Sequence, residues 1–380
     1  MAPIDLGILR LIWWALLGLL LIGFAIMDGF DLGTAMLQPF VARNDGERRM
    51  LLNAIGPVWE GNQVWLVLGG GAAFAAWPLL YAASFSGFYL AMILVLLGLI
   101  VRPVAIVFRS KLEATRWRRA WDWAFFASGL VASLVFGVAF GNLFLGVPFH
   151  FDPMLRMTYE GGLLGLFRPF ALLAGLTSAA MLGMQGASYL ALKCAEPVAS
   201  RARRAGFWAA ILLIALFTLG GVWLAHIQGY VVTSAVAPAL PSNPLAKTVA
   251  QRAGAWFINY GAHPWIAAAP LLAYLGAAFA AISFRAGFGL PTFGATSLAT
   301  AGIVATAGLS LFPFLLPSSS DPGSSLTLWD ASSSAPTLFI MLVVTLIFLP
   351  LVIVYTSWVF WVLRGRAAGT PASGEDEGYY

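Results

Sequence analysis

The sequence predicts an all-α integral membrane protein of about nine transmembrane helices, and three observations carry that prediction. Of the 380 residues, 60% are hydrophobic and only 10% charged, against about 25% charged in soluble domains. Mean hydropathy is +0.86. The 21 basic and 16 acidic side chains are too few to cover a soluble surface of this size, and they sit in short clusters between apolar runs of bilayer length. The outside of the chain therefore faces lipid.

Taken in order, the runs extend over Leu11 to Phe40, Leu51 to Tyr81, Ser84 to Val101, Trp121 to Leu145, Leu163 to Leu192, Phe207 to His226, His263 to Phe284, Pro291 to Leu316 and Pro336 to Leu363. The first is a retained membrane helix. Met1 to Arg10 lacks the basic leader and the small-residue cleavage pattern of a signal peptide, and the apolar run outlasts a signal core. The second is kinked, because Gly56-Pro57 frees backbone groups inside it. The third ends at Arg102-Pro103, and the fourth opens on Trp121 and Trp123, part of an aromatic belt near the helix ends. The first, second and fifth exceed bilayer length and must tilt or extend beyond it. Gln228 to Ala262 and Pro317 to Ala335 are outer loops too short to form domains. One polytopic membrane domain thus occupies 1–366, and the Gly-, Ser- and acid-rich stretch 367–380 reads as a disordered cytoplasmic tail.

Assigning each Lys and Arg to its connection puts 16 on one side of the membrane and 5 on the other. The N-terminus is therefore expected outside and the C-terminus in the cytoplasm. The basic clusters read as orientation signals and membrane-lipid contacts, including most of the stretch from Arg102 to Lys111, and not as a nucleic-acid surface. Met27-Asp28-Gly29 and Met184-Gln185-Gly186 lie at similar depth before basic connections. That correspondence points to two four-helix bundles, halves 1–150 and 151–330, plus one extra ninth helix.

The chemistry concentrates in the segment from Gly23 to Gly33. Asp28 and Asp31 stand three residues apart and share a helix face. An intramembrane acid facing lipid costs at least about 2.5 to 3.5 kcal/mol, so both should address one interior partner or cavity. Asp31 lies nine residues before Phe40 and Glu60 nine after Leu51. An antiparallel hairpin then sets both roughly 13 Å from the cytoplasmic end, at about 1.5 Å per residue. Asp28, Asp31, Glu60, Asn62 and Gln63 at one depth have the chemistry to take up and release protons or to bind a cation, with Arg102 as a counter-charge. The alternative is structural: the acids cap broken backbone near Gly29 and Gly33, or pair with Arg102. The single cysteine, Cys194, excludes a disulfide framework and a multi-thiolate metal site. His150, His226 and His263 fall near outer helix ends without a second histidine at ligand spacing, so no metal or haem ligand is expected in this chain.

The residues spread along the chain resemble a known family. They include Ile12-Trp13-Trp14, Asp28-Gly29-Phe30-Asp31, Asn44-Asp45-Gly46-Glu47-Arg48-Arg49, Trp59-Glu60-Gly61-Asn62-Gln63-Val64-Trp65-Leu66 and Phe74-Ala75-Ala76-Trp77-Pro78. Phe85-Ser86-Gly87-Phe88-Tyr89, Arg109-Ser110-Lys111, Trp121-Asp122-Trp123, Gly146-Val147-Pro148-Phe149, Ser242-Asn243-Pro244-Leu245 and Phe312-Pro313-Phe314 continue the pattern. Together they resemble subunit II of the cytochrome bd quinol oxidases, including the cyanide-insensitive branch.

The resemblance implies a multi-pass subunit of a bacterial inner (cytoplasmic) membrane oxidase. A larger subunit I would hold two haems b and one haem d, oxidise quinol at its outer face and reduce oxygen to water with cytoplasmic protons, electrogenically. Subunit II would carry no catalytic redox centre and no metal, and would support subunit I through a broad helix interface. The family also includes a small single-helix subunit in some complexes, and a structural quinone within subunit II in some members. For the acids the resemblance implies a proton route between the subunits, with Asp31 and Glu60 best matched to it and Asp28, Asn62, Gln63, Lys111 and Arg102 in support. Two departures stand out. The family's Trp-Asp-Gly-Asn is Trp59-Glu60-Gly61-Asn62 here, and an acid that some members carry shortly before Arg-Ser-Lys is replaced in the stretch of Val107 and Phe108. A proton- or cation-coupled secondary transporter would use the same carboxylates. It lacks an evident substrate site in the second half, where Gln185, Ser188 and Tyr189 are the few buried polar groups expected.

Overall fold

The computed structural model describes residues 4–235 and 238–367. Helix α1 (Leu6–Val41) opens where the Asp5 carboxylate accepts the Gly7 N–H at 2.8 Å, satisfying one of the donors a helix start leaves unpaired. Its 36 residues outrun a hydrocarbon core of about 30 Å at about 1.5 Å per residue.

The second expected run is not one kinked helix. It is α2 (Asp45–Ile55), a turn, α3 (Trp59–Ala76) and α4 (Pro78–Gly87). Pro57 and Pro78 have no N–H to continue a preceding helix, and Pro78 occupies the first position of α4, where that donor has no partner to lose. There follow α5 (Tyr89–Phe108), α6 (Thr115–Leu145), α7 (Pro169–Lys193), α8 (Val198–Leu224), a short α9 (Ile258–Ala262), α10 (Ala268–Ala286), α11 (Leu290–Leu311) and α12 (Ala335–Val362). Among the described residues eight helices are long and apolar enough to cross a membrane: α1, α5, α6, α7, α8, the stretch ending in α10, α11 and α12. The helix α3, which carries Glu60, Asn62 and Gln63 in its first turns, falls outside that set.

Helices α1, α3, α5 and α6 pack together, α7, α8, α10 and α11 form a second set, and the two meet where α7 lies against α1 and α6. Lipid offers no hydrophobic drive between helices, so close approach must come from small residues. At the α1–α7 crossing a Cβ on Gly33 would sit 2.0 Å from the Leu182 carbonyl oxygen, and one on Gly186 would sit 2.4 Å from the Gly33 carbonyl carbon. Neither position has room for a side chain.

The basic connections gather at one end, tied by ion pairs such as Arg201 to Glu47 at 2.6 Å, which links α8 to α2. The opposite end carries three antiparallel hairpins: β1 (Phe149–Phe151) with β2 (Met157–Tyr159), β3 (Gln228–Val232) with β4 (Val249–Ala253), and β5 (Phe314–Leu316) with β6 (Leu326–Thr327); β5 takes the end of the expected eighth run, whose helix stops at Leu311. Arg10, counted in the sequence among the outer charges, is fully buried at this end. Its guanidinium donates to the Ser332 hydroxyl at 2.7 Å, the Ser242 hydroxyl at 2.9 Å and the Pro238 carbonyl at 2.5 Å, fastening the loops to α1.

Helix α12 is exposed along most of its length and is held near its ends. Trp13 Nε1 donates to the Leu338 carbonyl at 2.9 Å, and at the basic end the Lys193 ammonium donates to the carbonyls of Leu363 and Gly365. The Ala367 N–H bonds the Lys193 carbonyl at 2.7 Å, so the first residue of the expected disordered tail is tied to α7. The rest of that tail, 368–380, lies outside the described residues.

Candidate functional site

Asp28 and Asp31 project from one face of α1 and are fully buried. Each takes a different partner. Arg102, fully buried on α5, donates from Nη2 to Asp28 Oδ1 at 2.6 Å. Asn62 on α3 donates from Nδ2 to Asp31 Oδ2 at 2.9 Å. The Arg102 guanidinium also lies over the Trp59 ring, 5.9 Å from its centroid, where the ring face favours positive charge. Four buried atoms of this cluster, Asp28 Oδ2, Asp31 Oδ1, and Arg102 Nε and Nη1, have no hydrogen-bond partner among the described residues. Buried polar atoms are nearly always paired, so this concentration makes the cluster the candidate site.

Glu60 does not join them. It is exposed on the outer side of α3, and Asn62 occupies the place expected of it. Two steps along a helix rotate a side chain by about 200°, so Glu60 and Asn62 point to opposite sides. Gln63 is half-buried beside Asn62, and Lys111 is exposed in the connection after α5, apart from the acids.

The structure adds residues that sequence reasoning passed over. Thr34 and Gln38 follow Asp28 and Asp31 along α1 at steps of three and four, and both are buried. Thr34 Oγ1 and Gln38 Oε1 are likewise without partners among the described residues. Gln38 Nε2 donates to Asp122 Oδ1 at 3.0 Å, and Asp122 also accepts from Arg109 Nε at 2.6 Å and from Arg48 Nη1 at 2.8 Å. Burial opposes the charge on Arg109, but the hydrogen bond and charge of Asp122, then those of Asp45, outweigh it and raise the guanidinium pKa above its ordinary value. A polar stripe thus runs from the basic end to Asp28 over about 15 Å at 1.5 Å per residue. Its signal in the sequence was the helical spacing of Asp28, Asp31, Thr34 and Gln38.

A second feature is an apolar cavity of about 370 Å³ between the two helix sets, lined by Phe24, Phe140 and Phe170 among others. Tyr260 and Ser310 also line it, their hydroxyls 3.0 Å apart. Among the described residues no group of three or more His, Cys, Asp or Glu side chains could hold a metal ion.

The family model for cytochrome bd terminal oxidase subunit II matches residues 9–363. The chain belongs to this family. Cytochrome bd-I ubiquinol oxidase subunit 2 of Escherichia coli (strain K12) is 48% identical over 364 residues, covering 96% of each chain. The probable cytochrome oxidase subunit 2 of Haemophilus influenzae is 47% identical over 367 residues, again covering 96% of each. The solved bd oxidase of Geobacillus thermodenitrificans aligns with a TM-score of 0.68 at 16% identity, covering 93% of this chain and 98% of that one, and shares the fold. As a bd oxidase subunit II, the chain is a multi-pass protein of the bacterial inner membrane and one subunit of an oxidoreductase complex that includes a subunit I.

Proposed function

We propose that this bd oxidase subunit II, itself without haem ligands, feeds protons to a haem-bearing subunit I that oxidises quinol and reduces oxygen to water. The observation that carries the reading is the unsatisfied polar cluster of Asp28, Asp31 and Arg102, with Thr34, Gln38 and Asp122 spaced between it and the basic end. A carboxylate can serve a proton route only if it has a free lone pair for the incoming proton, and Asp28 and Asp31 each keep one. Glu60 fits the same reading from outside. It lies on an α3 face whose other exposed residues include Val64, Val67, Leu68 and Phe74, where lipid contact would cost about 2.5 to 3.5 kcal/mol and a covering protein subunit would not. Glu60 then belongs to the boundary with subunit I and Asp31 to the interior side of the same route. The basic end is read as cytoplasmic, since 16 of the 21 Lys and Arg belong to it. The two helix sets are read as the two halves of a duplication. A small single-helix subunit and lipid complete the proposed assembly. The transporter alternative finds no support in a family of oxidase subunits.

The test is oxygen uptake by the purified complex. Asp31→Asn and Glu60→Gln are expected to assemble with normal haem content and to turn over at least tenfold more slowly, because an amide cannot release and rebind a proton and such steps contribute roughly 10²- to 10⁴-fold. Normal turnover in both variants would refute the route. Loss of haem would assign the acids a structural role.

The apolar cavity supports a structural quinone within this chain. Its aromatic and aliphatic walls suit an isoprenoid tail, and the hydroxyls of Tyr260 and Ser310 would hold a ring carbonyl. Filling the space with Ala307→Trp is expected to abolish the quinone recovered by solvent extraction while haem content stays constant. Unchanged quinone recovery would overturn the assignment.

A further inference from the structure

A second cluster of charge lies away from the acids, where α8 begins and α10 ends at the basic end. Ser200, Arg203, Arg204, Phe207, Trp208 and Arg285 line a groove of about 350 Å³ there, floored by Phe284. Spacings of three and four residues bring Ser200, Arg203, Arg204, Phe207 and Trp208 onto one face of α8. Helices α8 and α10 approach closely beneath, since a Cβ on Gly206 would sit 2.3 Å from the Phe284 ring.

The cations are not equivalent. Arg203 is already engaged with Glu196 at 2.6 Å. Arg285, exposed, stacks over the Phe207 ring at 4.1 Å from its centroid, which orients the guanidinium. Arg204 is exposed and makes no ion pair among the described residues. Below the groove the helix surfaces turn apolar. Trp208 and Ile282 are each 63% exposed, with Ile211 and Leu212 exposed nearby on α8. The arrangement has a charged mouth at the membrane surface, a tryptophan at headgroup level and apolar walls leading into the acyl region.

We infer that this groove binds the phosphate headgroup of an anionic phospholipid, with Arg204 and Arg285 on the phosphate and Trp208, Ile211 and Ile282 against the acyl chains. A guanidinium offers parallel N–H donors that match phosphate oxygens. Free phosphate would gain only the polar half of the site. The apolar walls make lipid the occupant. The inference is independent of the proton route, since none of these residues belongs to it.

The test uses the intact complex in neutral detergent, titrated with phosphatidylglycerol, with phosphatidylcholine, or with inorganic phosphate, and followed by thermal unfolding and by native mass spectrometry. Phosphatidylglycerol is expected to raise the unfolding temperature and to remain bound, and phosphatidylcholine and phosphate are not. Arg204→Gln with Arg285→Gln should weaken phosphatidylglycerol binding roughly thirtyfold. Ser200→Glu, which places a negative charge at an exposed mouth position, should weaken it as well, and both variants should keep their haem. Retention of phosphatidylglycerol at wild-type affinity in either haem-replete variant would overturn the site. Equal stabilisation by inorganic phosphate would overturn the assignment to lipid.

Discussion

Replacing Arg102 by leucine should destabilise the subunit by about 3 to 5 kcal/mol, because it leaves Asp28 as a fully buried carboxylate with no counter-charge. The expected readout is a lower unfolding temperature in detergent and a reduced yield of haem-replete complex. Asp28→Leu combined with Arg102→Leu removes both charges, and well-packed apolar residues in place of a buried pair are often neutral for stability. The double variant should therefore recover most of the yield. Its oxygen uptake separates the two roles of the pair. Uptake that stays slow in a stable double variant places the pair in proton handling, and uptake that returns to normal reduces it to a strut between α1 and α5. A single Arg102→Leu variant as stable as the wild type would contradict the buried pair itself.

The second large effect is expected at the α1–α7 crossing. Gly186→Leu puts a Cβ 2.4 Å from the Gly33 carbonyl carbon and 2.5 Å from the Thr34 nitrogen, well inside any real contact. Both neighbours are backbone and cannot swing aside, so the helices must separate. Overpacking of this kind costs about 1 to 3 kcal/mol and sometimes more. Separation would also disturb the Phe30–Tyr189 stack, whose centroids are 3.9 Å apart, and move Asp31 relative to Asn62. Pulse expression followed by solubilisation yield and haem content should show assembly largely lost. Gly18→Ala on the same α1, where an added Cβ meets nothing within 4 Å, is the matched control and should assemble normally. Assembly of Gly186→Leu at wild-type level would mean that the crossing is looser than described.

Much of the molecule was legible from residues alone, for a local physical reason. Transfer of an apolar run into lipid depends on composition over about 20 residues, so membrane class and nearly all the crossing segments follow from the chain itself. The rarity of intramembrane acids likewise singled out Asp28 and Asp31. The misplacement of Glu60 has an equally clear cause. Counting residues along two helices gives their depth in the membrane but not the rotation of either about its axis, so the facing of Glu60 is not legible in the sequence. A turn at Gly56 to Val58 restarts α3 with its own phase, and that phase sends Asn62 inward and Glu60 outward.

The same distinction applies at both ends of the bundle. Hairpin pairings such as Gln228 with Ala253 span a long loop, and the burial of Arg10 needs Pro238, Ser242 and Ser332 brought together from distant segments. The sequence by itself determined the membrane-spanning helical class, the family and the acids on α1, because each rests on residue chemistry or local spacing. Only the tertiary structure decided that Asp28 pairs with Arg102, that Asp31 bonds Asn62, that Thr34 and Gln38 extend the polar stripe, and that Arg204 and Arg285 share a groove. Those partnerships depend on how helices cross and rotate against one another, and that is set by close backbone approach at positions such as Gly33 and Gly186.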